Sequence, residues 1–419
     1  MRRPPLLPAL GILFLSNTAY SPAKIRETGA SIYDHFYPNY VEYCAGTEME
    51  IYGKKIETGY GHAMLFLKGA CLDHSVPYPR LKLSSSGTGV AVSVIPQFSN
   101  MNWLGIEGRD MFFHACVPYN TAYGQAEHER VIQGAIKRGL FKNVKLTPED
   151  TAEIPAKYQG DMEKWAANHT FGISFGQSLV RITHCIRIPM PRSILSKVIQ
   201  SLNRRNEYYY ESGKPYQWHG LTDNCVRPLH NALAETGFWK PKPEGWIMPF
   251  ALLQITAPAN DFVNAIEKAF VRPIPDLPQV MADSTLLVNL MEHNWLPVQS
   301  GTLLEILPFH SYKNTVWHTK SELDFAHVGP FHNAIAKVHR YEEQSNLHDL
   351  RLNLLGFRER YQKIRAHLVG HPAEWYAHNY PFCQIKGPYS LKQVHAKYSQ
   401  YIDQQLSDIE AALHDPILP

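Results

Sequence analysis

The chain has 419 residues, 44% hydrophobic, 19% charged and 12% aromatic, which excludes collagen-like, low-complexity and disordered classes and suits two or three folded units. With 41 Lys plus Arg against 38 Asp plus Glu, the formal charge of +3 argues for no nucleic-acid partner. The six cysteines (Cys44, Cys71, Cys116, Cys185, Cys225 and Cys383) lack the close spacing of a zinc knuckle or redox pair, and if one is a working thiol, at least one more must be unpaired.

Taken in order, the chain opens with Arg2 and Arg3, an apolar stretch from Leu6 to Leu15, and small or polar residues to Ala23. This layout predicts a secretory signal over residues 1–23 and a periplasmic or secreted protein. No later apolar run reaches the roughly 18 residues of a membrane helix, so no integral membrane segment is expected after signal removal. From Ile51 to Val117, ETGYGHAMLFLKG, TGVAVSVIP and DMFFHACVP read as antiparallel strands bounded by Gly, Pro or Ser. AEHERVIQGAIKRG after Asn120 reads as a helix, and a second is expected from Thr147, where Thr-Pro-Glu-Asp supplies a cap with Pro at the first helical position. Strand character returns in GISFGQSLVRITHCIRIP. A helix through SILSKVIQSLNRR then leads to Tyr208, Tyr209 and Tyr210, followed by a short helix opened by Thr222-Asp223-Asn224-Cys225 and stopped by Gly237.

Pro-rich connections from Pro241 to Pro258 lead into a mixed helix and loop extension over residues 251–330. The C-terminal region, 331–419, is predicted helical. Leu347, Leu350, Leu354, Phe357, Tyr361, Ile364 and Leu368 alternate spacings of three and four, and Ile402, Leu406, Ile409 and Leu413 continue the habit. Such a seam fits a helical hairpin packed on the core or on itself, with a partner protein docked on these helices as the sharper option.

Cys225 is the leading candidate for chemistry. A thiol at a helix N-terminus sits at the positive end of the macrodipole, which is expected to lower its pKa. A thiolate nucleophile needs a base, and His62, in the strand context Gly-Tyr-Gly-His-Ala-Met-Leu-Phe-Leu, is the best placed. Period-two alternation puts His62, Met64 and Phe66 on one face and Ala63, Leu65 and Leu67 on the other. Trp103, Tyr208, Tyr210, Trp218, Trp239 and Trp246 are candidates to line an apolar groove. The histidines of the C-terminal half, His310, His318, His327, His332, His339, His367 and His371 among them, form no His-Glu-x-x-His or compact zinc pattern. There is no Walker loop, no Gly-x-Gly-x-x-Gly and no Gly-x-Ser-x-Gly elbow, so no metal, cofactor, nucleotide or serine-hydrolase mechanism is expected.

The strand with Gly-His-Ala-Met-Leu, the later strand and helix CIRIPMPRSILSKVIQ, a Tyr-rich strand, and Asp-Asn-Cys opening a helix together resemble a circularly permuted papain-like domain. More narrowly, the pattern resembles the bacterial family named after the Lnb N-terminal periplasmic domain. It is similar in order to the permuted NlpC-type and lecithin retinol acyltransferase-like enzymes, in which His precedes Cys. The resemblance spans roughly Tyr60 to Gly237. It implies an α+β fold, a papain-like domain over residues 51–250 with a helical insertion at about 120–165, and thiol-mediated hydrolysis or acyl transfer on an amide or ester of a cell-envelope peptide or lipid. Carried over, it makes Cys225 the nucleophile and His62 its base, with Asn224 or the Cys225 N–H at the oxyanion and Asp223 in support. The residue that orients the imidazole is left among His74, Asp73 and His114. The alternative is an inactive binding protein on the same scaffold.

Overall fold

The computed structural model describes residues 32–52, 61–95, 98–146, 151–152, 154–158, 160–216, 223–242, 257–323, 334–381 and 383–418. The expected signal segment, the Thr147 cap, Thr222, Trp218, Trp246, His327 and His332 lie outside these residues.

Alternation of side chains builds the centre of the molecule. Six strands, β1 (Tyr40–Gly46), β3 (His62–Lys68), β6 (Val90–Val94), β7 (Trp103–Glu107), β8 (Thr183–Pro189) and β9 (Leu303–Leu307), form one sheet in the order β7-β6-β3-β1-β8-β9. Every neighbouring pair is antiparallel. Two small ribbons accompany it, β2 (Met49–Ile51) with β10 (Trp317–Thr319), and β4 (Ala70–Leu72) with β5 (Leu81–Leu83). Both faces of the sheet are covered. Val41, Tyr43, Ala45, Ala63, Leu65, Leu67, Ile186 and Ile188 line the first face, and Cys44, Met64, Phe66 and Cys185 line the second. The fold is thus α+β with an antiparallel sheet.

The helices divide between the faces. The second face carries α1 (Arg109–His114), α2 (Gln125–Lys137), α3 (Met162–Thr170) and the single turn α4 (Gln177–Val180). The first carries α5 (Arg192–Ser212), α6 (Val226–Ala234) and α7 (Pro258–Ile266), whose Leu195, Val198, Leu229, Leu233, Phe262 and Ile266 reach 0% exposure. Beyond them lie α8 (Leu277–Ala282), α9 (Ser284–His293), α10 (Ala334–Glu342), α11 (Leu350–Gly370), α12 (Ala373–Asn379) and α13 (Leu391–His414). Leu354, Phe357 and Tyr361 of α11 meet Tyr401, Ile402 and Ile409 of α13 inside the same core. The periodic seam is therefore spent within the chain, as an intramolecular helical hairpin.

Several expectations change. DMFFHACVP forms α1 rather than a strand, because Met111, Phe112 and Phe113 bury on one short helix and the strand belongs to Trp103–Glu107 just before it. A short apolar run does not by itself distinguish the two. The tyrosine triplet ends helix α5 rather than forming a strand. Part of GISFGQSLVRITHCIRIP is the turn α4, and only Thr183–Pro189 is strand. The sheet also reaches beyond residues 51–250 on both sides, with β1 before and β9 after. The stretch read as an insertion is no appendage, since Val131, Ile132 and Ala135 of α2 cover the second face.

Candidate active site

Cys225 is itself the N-cap of α6, and the helix packs its Val226, Leu229 and Leu233 on the first face of the sheet. The sulfur reaches the end of β3, where the Ala63 N–H is directed at it. Burial pushes the Cys225 thiol up. The N–H groups of Ala63, Cys225 and Val226 and the Arg181 guanidinium pull the other way without overturning that. The thiol lowered by a helix dipole, expected from sequence, is thus corrected: at the first helical turn, desolvation of the charged form outweighs the N-terminal field.

His62 opens β3 opposite Gly46 and projects, as alternation requires, to the second face with Met64 and Phe66. Its Nε2 lies 2.8 Å from Ser93 Oγ on the neighbouring strand β6. Ser93 donates its one hydroxyl proton to the Ile173 carbonyl, 2.8 Å away. The hydroxyl oxygen therefore accepts from Nε2–H, and the ring's lone pair is left at Nδ1. Burial, reinforced by the charge of Arg181, pushes the His62 imidazole down to about 3, against the Ile173 carbonyl. His62 is a neutral base held in one tautomer. No hydrogen bond joins it to Cys225 among the described residues, and the thiol packs against the first-face core while the imidazole projects to the second.

The other expected residues fall elsewhere. His74 is exposed in the β4–β5 hairpin, past the far end of β3, and seven residues at about 3.3 Å each separate that end from His62 by about 20 Å. Proximity in sequence misled because β3 runs away from the site. Asp73, in the same hairpin, accepts from the Ser75 N–H and faces Arg80 and Lys82. His114 lies 2.7 Å from Ser178 Oγ at the end of α1. Asn224 is buried and its Oδ1 accepts from the Val226 N–H at 3.0 Å, closing the first turn of α6. The Asp223 carbonyl accepts from the Tyr216 hydroxyl at 2.7 Å, and its carboxylate faces Arg205. Both residues anchor the loop that presents Cys225. Among the described residues the expected aromatics form no single groove, since Trp103 is core and donates to the Leu202 carbonyl, Trp239 stacks on His230, and Tyr210 packs on Tyr78.

No family model, curated protein or solved structure matches this chain. The site is therefore defined by its own geometry. Three residues not singled out from sequence belong to it. Ser93 orients His62; it is the lone hydroxyl in VAVSV, on the face opposite the valines. Arg181, between α4 and β8, places a buried guanidinium close to both His62 and Cys225. Tyr43 of β1 lies near Asp261 and Cys225, and burial raises its hydroxyl pKa well above the ordinary value.

Beside this site stands a second buried cluster. His230 of α6 is 2.7 Å from Asp261 Oδ2 through Nδ1, and its Nε2 is 3.0 Å from the Lys240 carbonyl. Lys242 Nζ reaches Asp261 Oδ1 at 3.0 Å. Burial alone would raise the Asp261 carboxyl, but Lys242 and His230 hold it below its ordinary value. Across the sheet, Glu42 and Arg187 face each other in register beside the disulfide of Cys44 with Cys185. Cys71, Cys116, Cys225 and Cys383 remain thiols.

Proposed function

We propose that the protein is an exported thiol hydrolase or acyltransferase that cleaves an amide or ester of a cell-envelope substrate through Cys225 and His62. The observation that supports this reading is the Ile173–Ser93–His62 relay, which sets the proton on Nε2 and leaves a lone pair at Nδ1 of the residue next in the chain to Ala63, whose N–H is directed at the sulfur. A nucleophile on a helix start, a base on a strand and an orienting polar residue on the next strand make up the working parts of a permuted papain-like core.

In the reaction, the Cys225 sulfur attacks the carbonyl carbon and forms the acyl–sulfur bond. The thiol proton passes by way of His62 Nδ1 to the departing amine or alcohol. Water or another hydroxyl then attacks the acyl-enzyme, and its proton passes by way of His62 to the departing sulfur, which restores the thiol and the neutral imidazole. The Ala63 and Cys225 N–H groups, directed at the sulfur, are the nearest donors for the developing oxyanion. A buried disulfide supports the exported location, because such bonds persist in oxidising compartments.

One observation favours a second reading, an inactive binding protein on this scaffold: His62 and Cys225 share no hydrogen bond and the thiol is raised. Catalytic hydrogen bonds often tighten only with substrate in place, so turnover decides between the two. Ester and amide reporters screened against the wild type and Cys225→Ala are expected to be cleaved by the wild type alone. Equal rates in both would remove Cys225 from the chemistry.

A further inference from the structure

We infer that Arg181 is the counter-ion of Cys225, so that the negative charge of the reactive sulfur is balanced by a guanidinium and not by an imidazolium. This rests on the reading of Cys225 as the nucleophile, and it deepens that reading by assigning a positioning residue to the same site.

Arg181 is a buried cation. It is 2% exposed, yet among the described residues no carboxylate pairs with it. Its Nη2 contacts only the weak acceptor Met49 Sδ at 3.1 Å, and its Nε has no partner. Arg187, also buried, behaves differently, since it shares the carboxylates of Glu42 and Glu305 with Arg109. A buried cation without an anion is strongly unfavourable, and a fold that keeps one has an anion for it in some working state.

Backbone room has been made for it. A Cβ at Gly46 would collide with Arg181 Cδ, so the glycine that ends β1 opposite His62 lets the arginine stem lie across the end of the sheet. There the guanidinium lies within electrostatic reach of the Cys225 sulfur, each favouring the other's charged form. Burial, partly offset by Cys225, pulls Arg181 down to about 10, which leaves it a cation at neutral pH.

Among the described residues, Arg181 is the charged side chain that acts on the sulfur. His62 is committed to Ser93 and neutral, and a second proton would place two cations side by side. Tyr43 of β1 and Tyr216 are held neutral by burial. Asp223 faces Tyr216 and Arg205, while Asp261 of α7 is engaged by His230 and Lys242. When the S–H bond breaks, its electron pair stays on sulfur opposite Arg181. The proton goes to His62 and onward during turnover, and to water in the absence of substrate.

The test is the pH dependence of iodoacetamide labelling at Cys225 in the full chain, read by mass spectrometry. Arg181→Met is expected to raise the labelling midpoint by about one pH unit or more, Arg181→Lys to restore most of that shift, and His62→Gln to move it much less. An unmoved midpoint in Arg181→Met with the Cys44–Cys185 disulfide and cooperative unfolding intact overturns the inference, as does a larger shift in His62→Gln. If Arg181→Met does not fold, Cys225→Asp is compared with Cys225→Asn at pH 7, where the fixed anion is expected to raise the melting temperature. An aspartate variant less stable than the asparagine one also overturns it. Labelling needs no substrate, so an Arg181-dependent midpoint without any turnover defeats only the acyl-transfer reading, and turnover with an Arg181-independent midpoint defeats only this one.

Discussion

Ser93 accepts the Nε2 proton of His62 at 2.8 Å while donating its own to the Ile173 carbonyl, and this directed pair sets which nitrogen of the imidazole is basic. Removing the hydroxyl frees the ring to rotate and to change tautomer. In Ser93→Ala the rate constant kcat on a reporter ester is expected to fall by about 10²-fold, the scale of losing a general base, with KM little changed. Steady-state kinetics check it, and Ser93→Thr, which keeps the hydroxyl, is expected to recover part of the loss.

His62 also marks the pH dependence of stability. Its folded-state pKa, about 3, lies below the ordinary 6.5, so between those values the unfolded chain holds a proton that the folded chain does not. Stability contributed by the neutral buried ring is complete above about pH 6.5 and declines as pH falls towards 3. Between pH 7 and pH 4.5 the wild type is expected to lose about 2 to 3 kcal/mol more than His62→Gln. Urea unfolding of both proteins at the two pH values measures the difference, and parallel losses would remove His62 from the account.

Glu42 is fully buried and its carboxylate receives Arg187 Nε at 2.6 Å and Arg109 Nε at 3.2 Å. Replacing it by Gln keeps the shape and leaves Glu305 alone to balance two guanidinium groups. Breaking one partner of a buried network costs about 3 to 5 kcal/mol. Glu42→Gln is expected to lower the urea midpoint accordingly, and a change below the scatter of surface substitutions, about 0.5 kcal/mol, would show that the network is not needed for stability.

The Cys44–Cys185 disulfide joins directly paired residues of β1 and β8 across 141 positions of sequence. Chain entropy sets a ceiling of about 5 kcal/mol for closing such a loop. The double variant Cys44→Ala with Cys185→Ala is expected to lose about 2 to 5 kcal/mol, and thiol titration of the denatured wild type should find four free thiols. Six would show that the bond does not form in the expressed protein.

Gly46→Ala tests close packing at the site. The added methyl group has only the Arg181 stem to move, so a loss of about 1 to 3 kcal/mol in thermal unfolding is expected, as for other overpacked positions. A neutral result would mean that the arginine has room to step aside.

Much was legible without coordinates. The Asp-Asn-Cys start of a helix, the strand HAMLFLK with His62 on the Met64 and Phe66 face, and the helical hairpin of the C-terminal region all follow from spacing, because a helix or strand imposes its period on any chain that buries one face, whereas the helix expected to run to Gly237 ends at Ala234. Tertiary structure alone decided the rest. It brought β1 and β9, from either side of the expected domain, into the same sheet. It placed Ser93, not His74, at hydrogen-bonding distance from His62, and it left Arg181 with no carboxylate partner among the described residues. Such choices join residues far apart in sequence through burial, register and charge, and no local period encodes which strand lies next to which or which side chains a buried cation meets.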